Sequence, residues 1–221
     1  MKTNKIKAVI FDLDGTLLDT LCDLCDSTND ALDAIGAPRR TIDEVRSFVG
    51  NGIRMLMVRA VPGGDESPLF DVAMNAFVES YKKNCANKTK PYDRIPQLLS
   101  RLSDDGYRLA VVSNKADFAV KTLVSDYFGD VISVAIGEKE NEGVKKKPAP
   151  DTVIAALRAL DCTKENAVYV GDSEVDIMTA ENAEMRCISV DWGFRGRDAL
   201  TVAGATEIVS SPEELLKAIE K

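Results

Sequence analysis

The chain has 221 residues, 45% of them hydrophobic and 29% charged, which is the profile of a soluble globular protein holding one domain, or one domain with a sizeable insertion. Its 28 Lys and Arg against 36 Asp and Glu leave a formal net charge of −8, which argues against a nucleic-acid surface, since neutralising phosphates takes clustered basic residues. With no His in the chain, a Ser-His-Asp triad, a Cys-His pair and His-ligated zinc are all excluded, and acid–base work falls to carboxylates, Lys, Tyr or Cys.

The opening run MKTNKIKAVIFDLDG starts like a signal peptide, but its apolar part is short and meets Asp12 before any cleavage site. No other stretch approaches the roughly 20 apolar residues of a membrane span, so a cytoplasmic protein with no membrane partner is expected. Ala8–Phe11 reads as a buried strand that delivers two carboxylates, Asp12 and Asp14, with Gly15 free to turn the chain behind them. Residues 18–91 contain no convincing strand; helical periodicity runs through Leu21–Ile35, Ile42–Phe48, Ile53–Ala60 and Leu69–Cys85, with Thr41 and Glu44 forming a capping box. Cys22 and Cys25 make a C-x-x-C inside the first of these, yet five cysteines at irregular spacing favour reduced thiols in packing roles.

Beyond residue 91 strands and helices alternate. Strands are expected at Leu109–Ser113, Val131–Ile136, Ala167–Val170, Cys187–Val190 and Glu207–Val209, and helices at Arg94–Leu102, Phe118–Tyr127, Pro150–Leu160 and Ser173–Ala183. Ser211, Pro212 and Glu214 signal a final helix. The fold class is α/β, a Rossmann-like parallel-sheet core with helices on both faces, formed by residues 1–17 and 92–221, into which residues 18–91 are inserted as an all-helical domain.

Ligands of parallel sheets bind outside the carboxyl ends of the strands. There the chain delivers Asp12 and Asp14 from the first strand, Ser113 and Asn114 from VVSNK, Asp172 and Asp176 from VYVGDSEVDI, and Lys147 from KKKPAP. A carboxylate cluster repels itself, and a divalent cation with oxygen ligands, Mg²⁺, is the remedy. A hydroxyl and an ammonium beside it complete a site for an anion of high charge density. Ser113 and Asn114 also suit the cap of the following helix, Lys145 and Lys146 read as a solvated charge run, and Asp19 and Asp23 fit a solvated helix face.

DLDGTLLDT, VVSN, the Lys before PAP, and GDSEVDI are similar, in order and over essentially the whole chain, to the four motifs of the haloacid dehalogenase superfamily. The helical insert resembles that family's helical cap, and VGNGIRMLMVRAV with VVSNK resembles its phosphoglycolate phosphatase branch. The resemblance implies that Asp12 is a nucleophile forming an aspartyl-phosphate, and that Asp14 protonates the leaving alkoxide and then deprotonates water. It implies further that Asp12, Asp172 and the backbone carbonyl of Asp14 hold Mg²⁺, that Ser113, Asn114 and Lys147 bind the phosphoryl group, and that Asp176 supports the metal or Lys147 from behind.

The expected function is therefore Mg²⁺-dependent hydrolysis of a small phosphorylated metabolite, phosphoglycolate foremost, by a monomer or homodimer. A dehalogenase needs neither Asp14 nor an acidic fourth motif, and a phosphonatase lacks the second Asp. A β-phosphoglucomutase-like mutase, a pyrophosphatase, and a sugar-phosphate or nucleotide phosphatase stand as alternatives, with a noncatalytic binding protein of the same fold as one of another class. Arg54, just past Gly50-Asn51-Gly52, is a candidate partner for the carboxylate of phosphoglycolate once the cap closes. Its competing reading is a solvated helix residue paired with Asp43 or Glu44.

Overall fold

The computed structural model describes residues 6–221. It divides into two compact units, Asp19–Lys90 and the remaining described residues on either side of that segment.

The larger unit is built on a six-stranded sheet. β1 (Ala8–Phe11) lies at its centre, between β4 (Arg108–Ala116) on one side and β6 (Ala167–Gly171) on the other. Beyond β4 lies β5 (Val134–Glu138), and beyond β6 lie β7 (Arg186–Val190) and β8 (Ile208–Val209), all parallel. The register sets Phe11 beside both Val111 and Val170. The chain builds outward from β1 in one direction and then in the other, so the topological switch, and the crevice it opens, lies at the carboxyl end of β1.

Both faces of the sheet are covered, which explains why β1 reads as a continuous apolar run rather than an alternating one. Val9 and Phe11 pack into a cluster with α5 (Ile95–Asp104), α6 (Asp117–Phe128) and α10 (Pro212–Ile219). Ala8 and Ile10 face a second cluster, with α7 (Asp151–Ala159) and α8 (Glu174–Asn182). The final helix starts as expected: the Ser211 hydroxyl accepts from Glu214 N–H, with Pro212 at the first helical position.

Two strands and one helix differ from the sequence reading. The strand expected at Val131–Ile136 is β5, Val134–Glu138, because Gly129–Val131 turns as a short 3-10 helix before it. β4 runs on past Ser113 through Asn114, Lys115 and Ala116, because the polar side chains there find buried partners and the strand has no reason to end where its apolar run does. A helix not anticipated, α9 (Gly196–Val202), buries only Leu200, too little apolar periodicity to be visible in the sequence.

The smaller unit packs α1 (Leu21–Ala34), α2 (Ile42–Phe48), α3 (Ile53–Ala60) and α4 (Phe70–Asn84) around Leu24, Leu32, Val45, Met57, Phe77 and Tyr81. The rings of Phe77 and Tyr81 stack with centroids 5.4 Å apart. The capping box of α2 forms, with Thr41 Oγ1 accepting from Glu44 N–H at 3.2 Å and Glu44 Oε2 accepting from Thr41 N–H at 2.8 Å. Gly50-Asn51-Gly52 is the turn between α2 and α3, and Gly52 enters α3 at φ +83°, a conformation that glycine adopts without strain. The cysteines of the C-x-x-C are both free thiols.

Segment 18–91 is not wholly without strands. The chain passes between the units twice, at β2 (Leu18–Asp19) and β3 (Lys90–Pro91), and these two-residue strands pair with each other. Asp23 also departs from expectation. It is 1% exposed, and its carboxylate accepts hydrogen bonds from Lys88 N–H and Thr89 N–H at 2.8–3.0 Å. The residue therefore ties the first turn of α1 to the segment leading into β3, and is not on a solvated helix face.

Candidate active site

Asp12 is the first residue past β1, and its N–H continues the ladder to the Val170 carbonyl at 2.8 Å. Its Oδ1 accepts from Lys147 Nζ at 2.7 Å. Among the described residues its second oxygen has no hydrogen-bond partner, so it is left to face the crevice.

Lys147 is 3% exposed and spends its three donors on Asp12, on Asp176 Oδ1 at 2.7 Å and on Tyr169 Oη at 3.1 Å. Asp176 Oδ1 also accepts from the Tyr169 hydroxyl at 2.9 Å, while Oδ2 accepts from Ser173 N–H at 3.1 Å and from the Ser173 hydroxyl at 2.6 Å. Both oxygens of Asp176 are thus occupied by protein donors, and its carboxylate caps α8 and fixes the ammonium in one step. The Asn114 side chain holds the backbone of the same lysine, donating to the Lys147 carbonyl at 2.9 Å and accepting from Lys147 N–H at 2.8 Å. Ser113 Oγ accepts from Lys115 N–H at 3.3 Å, which leaves its proton for another acceptor. Neither Ser113 nor Asn114 caps α6, whose capping position is Ala116.

Asp172 follows β6. It accepts from Phe194 N–H at 2.7 Å and, over a longer 3.4 Å, from the Thr16 hydroxyl. Two glycines make room for it. A Cβ on Gly15, which sits at φ +88°, or on Gly193 would lie 2.4 Å from the Asp172 carboxylate, closer than any real contact. The Gly193 loop is tied down by Trp192, whose Nε1 donates to the Thr16 carbonyl at 3.1 Å.

Asp12, Asp172 and Asp176 each place an oxygen within 4.8 Å of the others. Asp14 stands outside that group: its Oδ1 accepts from Lys115 Nζ at 2.7 Å, with the lysine side chain 2% exposed. With all four carboxylates ionised, two ammonium groups would leave an excess of two negative charges, and Arg195 nearby is balanced by Glu174 at 2.9 Å. Burial, and then the charges of Asp176 and Asp12, push Asp172 well above the usual carboxylate range. Burial likewise pushes Asp12 up to about 7, against the opposing charge of Lys147. Asp176 goes the other way: burial would raise it, but the charge and hydrogen bond of Lys147 hold it below its ordinary value. The donors of Asp12 and Asp172 thus form an under-compensated, all-oxygen pair that could hold a metal ion, and a hard divalent cation matches both the charge and the donor type.

The profile of the haloacid dehalogenase-like hydrolases matches residues 9–190. The chain belongs to that family. A phosphoglycolate phosphatase of Psychrobacter arcticus is 34% identical to this hydrolase over 86% of either chain. An N-acetylmuramic acid 6-phosphate phosphatase of Pseudomonas aeruginosa is 30% identical over 100% of this chain and 98% of its own. Among solved structures, a candidate phosphoglycolate phosphatase of Lactobacillus delbrueckii subsp. bulgaricus superposes with a TM-score of 0.93 at 36% identity, covering 98% of this hydrolase and 99% of that chain.

Of the residues singled out from the sequence, Asp12, Asp14, Ser113, Asn114, Lys147, Asp172 and Asp176 all lie at the carboxyl edge of this one sheet. Arg54 lies in the helical unit, where it pairs with Asp65 at 3.1 Å and stands 5.3 Å over the Phe70 ring. Asp43 and Glu44 instead take Arg46 and Arg40. Sequence reasoning missed Lys115, Tyr169, Thr16 and the Gly193–Phe194 loop. Lys115 carried a signal, a charge directly behind Ser113 and Asn114; Tyr169 carried none, being one more large residue in an apolar strand.

Proposed function

We propose that the protein is a Mg²⁺-dependent phosphatase that hydrolyses a small phosphorylated metabolite, phosphoglycolate first, through an aspartyl-phosphate at Asp12. The reading rests above all on Asp12 itself: one carboxylate oxygen is held by a buried ammonium, and the other has no hydrogen-bond partner among the described residues and lies in a cluster with Asp172 whose charge a cation would offset. In the first half-reaction the open oxygen of Asp12 forms a bond to phosphorus as the bond to the ester oxygen breaks, and Asp14 gives that oxygen a proton. In the second, water attacks the phosphorus and gives its proton to Asp14, the bond to Asp12 breaks, and the carboxylate is restored. The Ser113 hydroxyl donates to a phosphoryl oxygen through both steps. Lys147, kept in place by Asp176, Tyr169 and Asn114, lends the phosphoryl group its positive charge and turns the donor now on Asp12 Oδ1 toward it as Asp12 is esterified.

Asp12, Asp172 and the Asp14 carbonyl would hold the Mg²⁺, which when bound offsets the charge shared by the carboxylates and the phosphoryl group. Phosphoglycolate and N-acetylmuramic acid 6-phosphate, the compounds that name the two relatives, are both phosphate monoesters bearing a carboxylate. The favoured substrate class is therefore a carboxylate-bearing phosphate monoester, with the amino-sugar acid as the second reading because that relative spans the whole chain. Hydrolysis rates of both compounds, a hexose phosphate, a nucleotide and pyrophosphate, measured with Mg²⁺ and with excess chelator, test this. The expected result is chelator-sensitive turnover, fastest on a carboxylate-bearing ester; turnover that survives chelation, or that is fastest on pyrophosphate, overturns it.

A further inference from the structure

Each of the two carboxylates that follow β1 has a buried lysine of its own. Lys147 on Asp12 belongs to the family's motif set. Lys115 on Asp14 stands outside the four motifs, at the end of the VVSNK run, and nothing in the reaction sketched above uses it. We propose that Lys115 is a positioning residue for Asp14, holding its carboxylate where it can exchange a proton with the leaving-group oxygen and water, and away from the metal-holding carboxylates. The proposal rests on the phosphatase reading.

Four observations carry it. The pairing of β1 with β4 sets Phe11 beside Val111, so continuing both chains past the sheet edge brings residue 14 level with the Asn114–Lys115 segment. Asp14 belongs to a tight turn in which the Leu13 carbonyl accepts from Thr16, Leu17 and Leu18 N–H, so its backbone is fixed and the side-chain rotamer is what remains to be set. The Lys115 side chain is nearly solvent-free at 2% exposure and meets Asp14 Oδ1 at 2.7 Å; an ammonium that dry needs an anionic partner, and Asp14 supplies one. Finally, the Asp14 carboxylate stands outside the group formed by Asp12, Asp172 and Asp176. Without the lysine, the Asp14 carboxylate loses its buried counter-charge, and its rotamer is no longer biased toward the position the ion pair gives it.

The ion pair engages Oδ1, and the role assigned to Lys115 is to fix the carboxylate so that its other oxygen meets the leaving group. The step at stake is narrow: proton delivery matters for an alkoxide leaving group and hardly at all for nitrophenolate. This separates positioning from support of the fold, which affects both esters alike.

The test is Lys115→Met and Lys115→Arg in the full-length chain with Mg²⁺, assayed on phosphoglycolate and on p-nitrophenyl phosphate, alone and combined with Asp14→Asn. Lys115→Met is expected to lower kcat on the alkyl ester by about 30- to 100-fold, within the range of a general acid's contribution, and on the aryl ester by less than about threefold. KM is expected to stay close to wild type on both. Lys115→Arg keeps the charge and is expected to show a smaller loss of the same selectivity, so the test does not depend on the methionine variant folding. In the Asp14→Asn background, Lys115→Met is expected to change the alkyl-to-aryl ratio no further. Equal losses on both esters, no loss on either, or a ratio change that persists without the Asp14 carboxylate each overturn the proposal. If Asp12→Asn retains turnover, the phosphatase mechanism itself fails, and that outcome is distinct from all of these.

Discussion

In the α/β unit the lysines of the sheet edge, Lys147 and Lys115, are buried and reach carboxylates 135 and 101 residues away in sequence. In the helical unit Arg46 meets Asp43 three residues away and Arg54 meets Asp65 eleven away, all with exposed side chains. Burying an ion pair costs about as much in desolvation as the attraction returns, whereas an exposed pair is worth about 0–1 kcal/mol and is readily replaced. The sheet edge therefore keeps its charges for position and potential and not for stability. The helical unit spends its charges mostly on solvation and local pairing, with buried Asp23 as the departure from that pattern.

The largest effect is expected from Asp12→Asn. The amide is nearly isosteric but is neither a nucleophile nor an anionic ligand, so turnover is expected to fall at least a thousandfold while circular dichroism and melting stay close to wild type. Residual activity of a tenth of wild type would break the comparison, because it would make the buried edge structural like the rest of the fold.

Metal removal comes next. Excess chelator is expected to abolish turnover and Mg²⁺ to restore it. Burial, opposed by Lys147, puts Asp12 at about 7, so the metal-free protein holds a proton there below that pH, and a cation must displace it. Apparent Mg²⁺ affinity is expected to weaken by about tenfold per pH unit below 7 for the Asp12 proton alone, and more steeply wherever the raised Asp172 carboxyl is protonated as well, so that affinity rises with pH across the range. Titration of Mg²⁺ binding by calorimetry from pH 5.5 to 8.5 checks the sign, and an affinity that is flat or rises toward acid contradicts it.

Asp23→Ala sharpens the contrast from the other side. It strips the carboxylate from the N–H groups of Lys88 and buried Thr89, and leaving a buried donor without its acceptor costs about 1–3 kcal/mol. A lower melting temperature is expected, with p-nitrophenyl phosphate turnover retained below it; an unchanged melting temperature would mean that water replaces the carboxylate.

The smallest effect concerns Arg54→Ala. The melting temperature is expected to be unchanged. The kcat/KM for phosphoglycolate is expected to fall about tenfold, a loss of about 1.4 kcal/mol, with p-nitrophenyl phosphate affected little. Parallel losses on both esters, or none, remove Arg54 from substrate recognition.

Much of this molecule was legible from local pattern. The apolar runs at Ala8–Phe11 and Ala167–Val170 and the caps at Thr41 and Ser211 depend on neighbours within a few residues, and the structure carries them with shifts of a residue or so. Asp12, Ser113 and Asp172 were legible for a related reason, since a strand that ends in a carboxylate or hydroxyl has only the sheet edge to deliver it to, whereas Lys147 in its loop and Asp176 on α8 were legible from the motif pattern. Asp23 was misjudged because an aspartate on a polar helix face has the same local pattern whether water or a distant backbone N–H donates to its carboxylate. α9 was missed because a single buried Leu200 leaves no period to detect.

By itself, the sequence determined the alternation of strands and helices, the helical insert, and the set of groups brought to the carboxyl end of the sheet. It also excluded every mechanism that needs histidine. Only the tertiary structure decided which charge meets which: that Lys147 is shared by Asp12, Asp176 and Tyr169, that Asn114 grips the lysine backbone, that Gly15 and Gly193 admit Asp172, and that Asp14 belongs to Lys115. The physical reason is range. Propensity, periodicity and capping act over a few residues along the chain, while the energy of a buried charge depends on partners a hundred residues away that only the folded sheet sets within 3 Å.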